Sequence, residues 1–160
     1  LSFACRFHRC QYSDVNDKPQ KTLPHLADYP HQVRDIVRFR DMDAQGHVNN
    51  AVYSTYFETG RVAMFRNPDL SVGIDNVTFV LVRAEINFMR ELHWPGDLMV
   101  GTALKSFGRR SFVVAQAVFQ GEHCAAAGDF TMVTMNKTTR EPIPVPDAVI
   151  ARLSPWKAKA

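Results

Sequence analysis

The strongest constraint on the fold is a change of hydrophobic period on either side of Pro68. Before it, Asn49 to Arg66 reads as a helix in which Val52, Tyr56 and Ala63 form one apolar stripe and Tyr53, Phe57 and Met64 form another. A helix apolar over so much of its circumference belongs in a core rather than on a surface. Pro68 ends it, because proline cannot supply the N–H that a continuing helix needs. Beyond it, Val80, Val82, Ala84, Ile86 and Phe88 alternate with more polar neighbours, the period of a half-buried strand. Turn signals at Pro95-Gly96-Asp97, Gly108-Arg109 and Gly121-Glu122 then separate strands expected near Leu98–Phe107, Ser111–Gln120 and Ala125–Asn136. A first strand is expected from His31 to Arg40, with Val33, Val37 and Phe39 on one face. The order β-α-β-β-β-β suits an α+β domain in which a long antiparallel sheet curls around one helix and buries it. Pro142–Pro146 is expected to leave the sheet, and Asp147–Leu153 to form a short closing helix.

A chain of 160 residues suits one domain with a sizeable core. The periodic pattern assigns that domain to residues 30–160. Residues 1–29 mix polar, proline and basic residues without a period, and read as a peripheral N-terminal extension or processed leader. Net charge is +3 and the basic residues are scattered apart from Arg109-Arg110, which is too little for a nucleic-acid footprint. No apolar run approaches the roughly 20 residues that span a bilayer. Neither nucleic acid nor membrane is therefore an expected partner, and the cytoplasm is the expected location. The odd set Cys5, Cys10 and Cys124 forms no disulfide framework and fits a reducing compartment. Cys5, His8 and Cys10 lack the closely spaced four-ligand pattern of zinc sites, and Cys124, among small neighbours in a strand, is expected in the core. No metal is expected, and no redox cofactor, since no Gly-rich dinucleotide turn occurs.

Chemistry concentrates in Val37 to Arg61, which reads VRFRDMDAQGHVNNAVYSTYFETGR. A strand ends in two acidic residues, turns through Gly46 and His47, and enters a helix expected to be capped by Asn49 or Asn50. That places a carboxylate beside a helix N-terminus, where unsatisfied N–H groups and the positive end of the dipole stabilise an oxyanion. Hydrolysis of an acyl compound follows as the first functional expectation. Asp41 and Asp43 also suit a plain turn and cap, the commonest role of aspartate before a helix.

The series Phe39, Asp41, Asp43, Gly46, His47, Val48, Asn49, Asn50, Tyr53, Tyr56, Phe57 and Glu58 resembles the hot-dog-fold acyl-CoA thioesterases of the 4-hydroxybenzoyl-CoA thioesterase-like family. Arg83-Ala84-Glu85-Ile86-Asn87-Phe88, Pro95-Gly96-Asp97 and Gly108-Arg109-Arg110-Ser111-Phe112 look like its later strands, so the resemblance spans roughly residues 31 to 145. It implies a hot-dog fold and an acyl-CoA thioesterase that uses no cofactor, coenzyme A being part of the substrate. Asp43 would be the catalytic carboxylate, as general base or nucleophile, with Asp41 its rival. Backbone N–H groups around Asn49, Asn50 and Ala51 would stabilise the oxyanion. His47 would orient water or the thioester, or pack in the turn. Tyr53, Tyr56 and Phe57 would line the core or the acyl pocket. Arg109 and Arg110, followed by Ser111, would approach the coenzyme A phosphates, which suit the arginine fork, and Lys105 is a weaker candidate. Glu58 is expected to pair with Arg61 or a neighbouring strand rather than act as a second catalytic acid. Arg83 and Glu85 are expected to pair.

The resemblance further implies a homodimer or homotetramer whose sheets join edge to edge, with the site at the seam and an acyl-CoA or acyl carrier protein thioester as substrate. Two other readings stay open. An enoyl-thioester hydratase needs an Asp and His paired across a hydratase loop, and the Asp43 to His47 spacing fits the thioesterase turn better. A non-catalytic acyl-CoA binding module is opposed by the presence of Asp43.

Overall fold

The computed structural model describes residues 23–69 and 73–158. Most of the expected extension, with Cys5, His8 and Cys10, lies outside the described residues. In chain order the elements are β1 (His31–Val37), α1 (Tyr53–Arg66), β2 (Val77–Phe88), β3 (Gly96–Phe107), β4 (Ser111–Gln120), β5 (His123–Asn136) and α2 (Asp147–Leu153). All five strands form one antiparallel sheet in the order β1-β3-β4-β5-β2. Short turns join β3 to β4 to β5 as sequence neighbours, so β1 and β2, which flank α1 in sequence, become the two edges.

Strand alternation gives the sheet one face for α1. Tyr56, Phe57 and Met64 are fully buried there among Val100, Leu104, Phe112, Val114 and Phe130. Ring contacts of Phe57 with Phe130 (4.8 Å between centroids) and of Phe65 with Phe112 (5.9 Å) tie the helix to β4 and β5. Each fully buried ring of this size contributes about 1.5–3 kcal/mol relative to exposure. On the opposite face Tyr29 packs edge-on against Phe119, with Ala103, Ala117 and Cys124 in the same small cluster. Burial pushes the Cys124 thiol up to about 11, which leaves it a protonated core residue.

Several local expectations are corrected. β1 stops at Val37 because Phe39–Asp41 coils into a 3-10 turn, in which Asp41 Oδ2 accepts the Arg38 N–H at 2.8 Å. Phe39 consequently leaves the strand face and is 73% exposed. The helix begins at Tyr53 rather than Asn49, and neither asparagine caps it; Asn49 Oδ1 accepts the Ala51 N–H at 2.9 Å and closes a turn before the helix. β2 is mostly exposed rather than half-buried, since it is an edge strand with an irregularity between Leu81 and Arg83 that sets Val82 outward. Arg83 and Glu85 do pair, at 2.8 Å. Arg61 does not join Glu58 in an ion pair: Glu58 is exposed, whereas Arg61 turns into the core and donates to Gln116 Oε1 at 2.9 Å.

The helix approaches the sheet most closely at Gly60. A Cβ there would stand 2.6 Å from Val100 Cγ1 and 2.8 Å from Gln116 Nε2. Gly60→Ala gains up to about 1 kcal/mol of helix propensity but forces overpacking that costs about 1–3 kcal/mol. The expected net result is a melting temperature lower by about 2–6 °C, read by calorimetry; a more stable variant would show that α1 can lift off the sheet without penalty.

Candidate active site

The turn between β1 and α1 is organised by its two aspartates, and they do different things. Asp41 is buried. Its Oδ2 accepts the Tyr56 hydroxyl at 2.7 Å as well as the Arg38 N–H, and its C=O accepts the Asn49 N–H at 2.9 Å. Burial, followed by the neighbouring Asp41 carboxylate, pushes the Tyr56 phenol above its usual range, so it remains a donor. Asp41 therefore fastens the strand end to the helix. Asp43 starts a tight loop: its N–H donates to His47 C=O (2.9 Å) and its Oδ1 accepts the Gln45 N–H (2.8 Å). Gly46 holds a φ of +88° in this loop, a conformation that glycine adopts freely. Asp43 Oδ2 is left 3.5 Å from His47 Nδ1, with the Asp43 side chain 23% exposed.

Beside this loop the helix entry leaves donors open. The Asn49 N–H is taken by Asp41 C=O, the Ala51 N–H by Asn49 Oδ1 and the Val52 N–H by Asn49 C=O. No acceptor among the described residues takes the Asn50 N–H. Asn50 lines a cavity of about 220 Å³ together with His47, Val48, Tyr53, Phe88 and Arg90. Tyr53 is a buried wall whose hydroxyl donates to Arg90 C=O at 3.3 Å. His47, rather than Asp43, forms the cavity surface. The cavity lining thus includes Asn50, in the turn just before α1 and with its N–H left open, and an imidazole backed by a carboxylate.

The loop between β2 and β3 supplies residues that sequence reading missed. Val48 N–H donates to Leu92 C=O (2.9 Å), His93 Nδ1 lies 3.2 Å from Gly46 C=O, and Glu91 Oε1 lies 3.9 Å from His47 Nε2. The only sequence cue was the turn at Pro95-Gly96-Asp97, which marks where this loop ends. Arg109, Arg110 and Ser111 fall elsewhere. They form the β3–β4 turn, whereas the Asp43 loop lies beyond the opposite end of β3, where Gly96 pairs with Val37. Twelve residues of strand put about 35 Å between those ends. Within one chain the structure brings Asp43, His47, Asn50 and Tyr53 together and leaves Arg109–Ser111 apart. Lys105 pairs with Asp129 on the far face, beside a separate cavity of about 440 Å³ that Tyr29 also lines. Among the described residues no group of three or more His, Cys, Asp or Glu side chains is arranged to hold a metal ion, and no helix is long and apolar enough to cross a membrane.

A model of the thioesterase-like superfamily matches residues 37–153, from the end of β1 through α2. The chain belongs to the thioesterase-like superfamily. No curated protein matches it. Among solved structures, a Thermus thermophilus thioesterase complexed with coenzyme A and zinc is 32% identical, covering 83% of this chain and 98% of its own, with a TM-score of 0.72. A Pseudomonas aeruginosa protein is 23% identical over 86% of this chain and 98% of its own, with a TM-score of 0.76. A 1,4-dihydroxy-2-naphthoyl-CoA thioesterase from Synechocystis is 17% identical over 78% and 95%, with a TM-score of 0.65. The last two likenesses are of fold alone. For this superfamily member, the five-stranded antiparallel sheet packed on central α1 is the hot-dog arrangement that the sequence motif implied.

Proposed function

We propose that the chain hydrolyses the thioester of an acyl-CoA. The observation that carries this reading is that Asn50, whose N–H is left open, and His47 line one cavity, with Asp43 Oδ2 3.5 Å from His47 Nδ1. In the proposed reaction the thioester carbonyl oxygen takes the Asn50 N–H as its oxyanion donor, assisted by the positive end of α1. Because His47 forms the cavity surface, Asp43 acts as general base through a water held beside His47 rather than by direct attack. The water oxygen bonds to the carbonyl carbon, the C–S bond breaks, and the proton taken up by Asp43 passes to the departing sulfur. Tyr53 walls the acyl group.

The reading also calls for a homodimer. β2 is an edge strand carrying exposed Leu81, Val82 and Phe88, and an unpaired apolar edge favours pairing with a second copy. Antiparallel pairing of β2 with the partner's β2 would carry the β3–β4 turn of one protomer to the Phe88 end of the other. Arg109, Arg110 and Ser111 would then approach the carrier phosphates of the neighbouring site. This supplies across the seam what one chain holds apart.

Free-thiol release from short, long and aromatic acyl-CoAs tests the activity. Release from at least one class is expected, whereas binding without release from any would favour a binding module. The dimer is tested by mixing Asp43→Asn protein with Arg110→Gln protein. Each variant is expected to be impaired alone, and the mixture to recover activity, because one of its two sites then holds an intact Asp43 and an intact partner Arg110. Failure to recover after verified subunit exchange would place both residues in one chain's site.

A further inference from the structure

The cavity at the start of α1 shares Met89, Arg90 and Glu91 with a larger one of about 570 Å³, which continues around the end of the sheet to His93, Gln120 and His123. That volume lies in the range of small-molecule sites. Among the described residues, Arg90 is the one arginine or lysine lining either cavity. Its backbone is held on both sides, the N–H donating to Ala125 C=O at 3.0 Å and the C=O accepting the Tyr53 hydroxyl. Its side chain is exposed, and no carboxylate among the described residues lies within ion-pair distance of it. His93 is held in a similar way: Gln120 Oε1 accepts its N–H at 3.1 Å and Gln120 Nε2 donates to its C=O at 2.8 Å. The carboxylate in this cavity, Glu91, already faces two imidazoles, His47 at 3.9 Å and His93 at 3.5 Å. A guanidinium without a carboxylate partner, on a fixed backbone in a cavity that His123 also lines, matches an anion with several acceptor oxygens.

We propose that this second cavity takes a phosphate of the thioester's carrier, with Arg90 as its charged contact and His123, from the same lining, as a further donor. The assignment rests on reading the adjoining cavity as the thioester site. It places a phosphate contact in the same chain as Asp43, distinct from the Arg109-Arg110 turn. Such a phosphate is found both on coenzyme A and on the pantetheine arm of a carrier protein.

Two measurements on Arg90→Gln test it. Calorimetric titration with coenzyme A needs no hydrolysis, and its Kd is expected to rise about tenfold over the wild type at an unchanged melting temperature. An unchanged Kd would overturn the assignment, whether or not the chain proves to be a thioesterase. In the hydrolysis assay the same acyl group is offered on coenzyme A, on phosphopantetheinylated carrier protein and on pantetheine lacking phosphate. The preference for acyl-CoA over acyl-pantetheine is expected to fall about tenfold through KM. A matching fall for the carrier-protein substrate identifies the pantetheine phosphate, and a fall confined to acyl-CoA identifies the nucleotide phosphates. Equal losses on all three substrates would mean that Arg90 only supports the loop, and would overturn the proposal.

Discussion

Asp43→Asn is expected to slow thiol release by about 10²–10⁴-fold, the usual worth of a positioned general base, while leaving the melting temperature within a degree or two. Asparagine keeps the Oδ1 that accepts the Gln45 N–H, so the loop closed by Asp43 and His47 has no reason to open. What disappears is an oxygen able to take a proton. Asp41→Asn provides the contrast. Its Oδ2 accepts both the Arg38 N–H and the Tyr56 hydroxyl from a buried position. Losing that charge weakens two charge-assisted bonds and costs about 1–3 kcal/mol of stability. The expected pattern is a catalytic loss at position 43 and a thermal loss at position 41, read by steady-state kinetics beside calorimetry. Near-normal turnover by Asp43→Asn, or loss of turnover at position 41 without loss of stability, would reverse the assignment.

The two aspartates also mark where the sequence was legible and where it was not. The Asp43 loop could be located because its geometry is local: a glycine at positive φ, an aspartate that bonds within two residues, and a histidine four positions on. β3, β4 and β5 were legible because the Gly and Pro turns that separate them are also local signals, and α2 matched its expected limits. The early end of β1 was hidden because it depends on how Asp41 is used: its Oδ2 accepts the Arg38 N–H in the 3-10 turn and also holds Tyr56, fifteen residues away. The exposure of β2 was hidden for a related reason. Alternating residues look the same on an edge strand as on a central one, and only the sheet order decides which strand is covered on both sides. Glu91 and His93 carry no motif, and they meet the Asp43 loop only because the segment between β2 and β3 folds against it, Glu91 toward His47 and His93 toward Gly46.

Arg61 is the residue whose environment departs most from its sequence expectation, and it carries the largest stability prediction. An arginine three residues after a glutamate on a helix ordinarily pairs with it at the surface. Here the guanidinium is 6% exposed, 4.5 Å over the Phe130 ring, and bonded to Gln116 Oε1. Burial lowers its pKa from the usual arginine value, a sign of the charge's desolvation. Gln116 is fully buried and engaged at both ends, its Nε2 donating to Phe57 C=O and to Thr102 Oγ1, each at 2.9 Å. Gln116→Leu fills a similar volume but leaves Arg61 without its side-chain acceptor and removes the donor that Phe57 C=O and Thr102 Oγ1 share. The expected cost is about 3–5 kcal/mol, or a melting temperature lower by roughly 6–20 °C for a chain of this size. Adding Arg61→Met removes the stranded charge, so the double variant is expected to recover most of that loss, with a coupling energy of about 2 kcal/mol in a double-mutant cycle. Additive losses would mean that the guanidinium reaches water through the exposed β2 side once Gln116 is gone, and that the helix tolerates its cation without the glutamine.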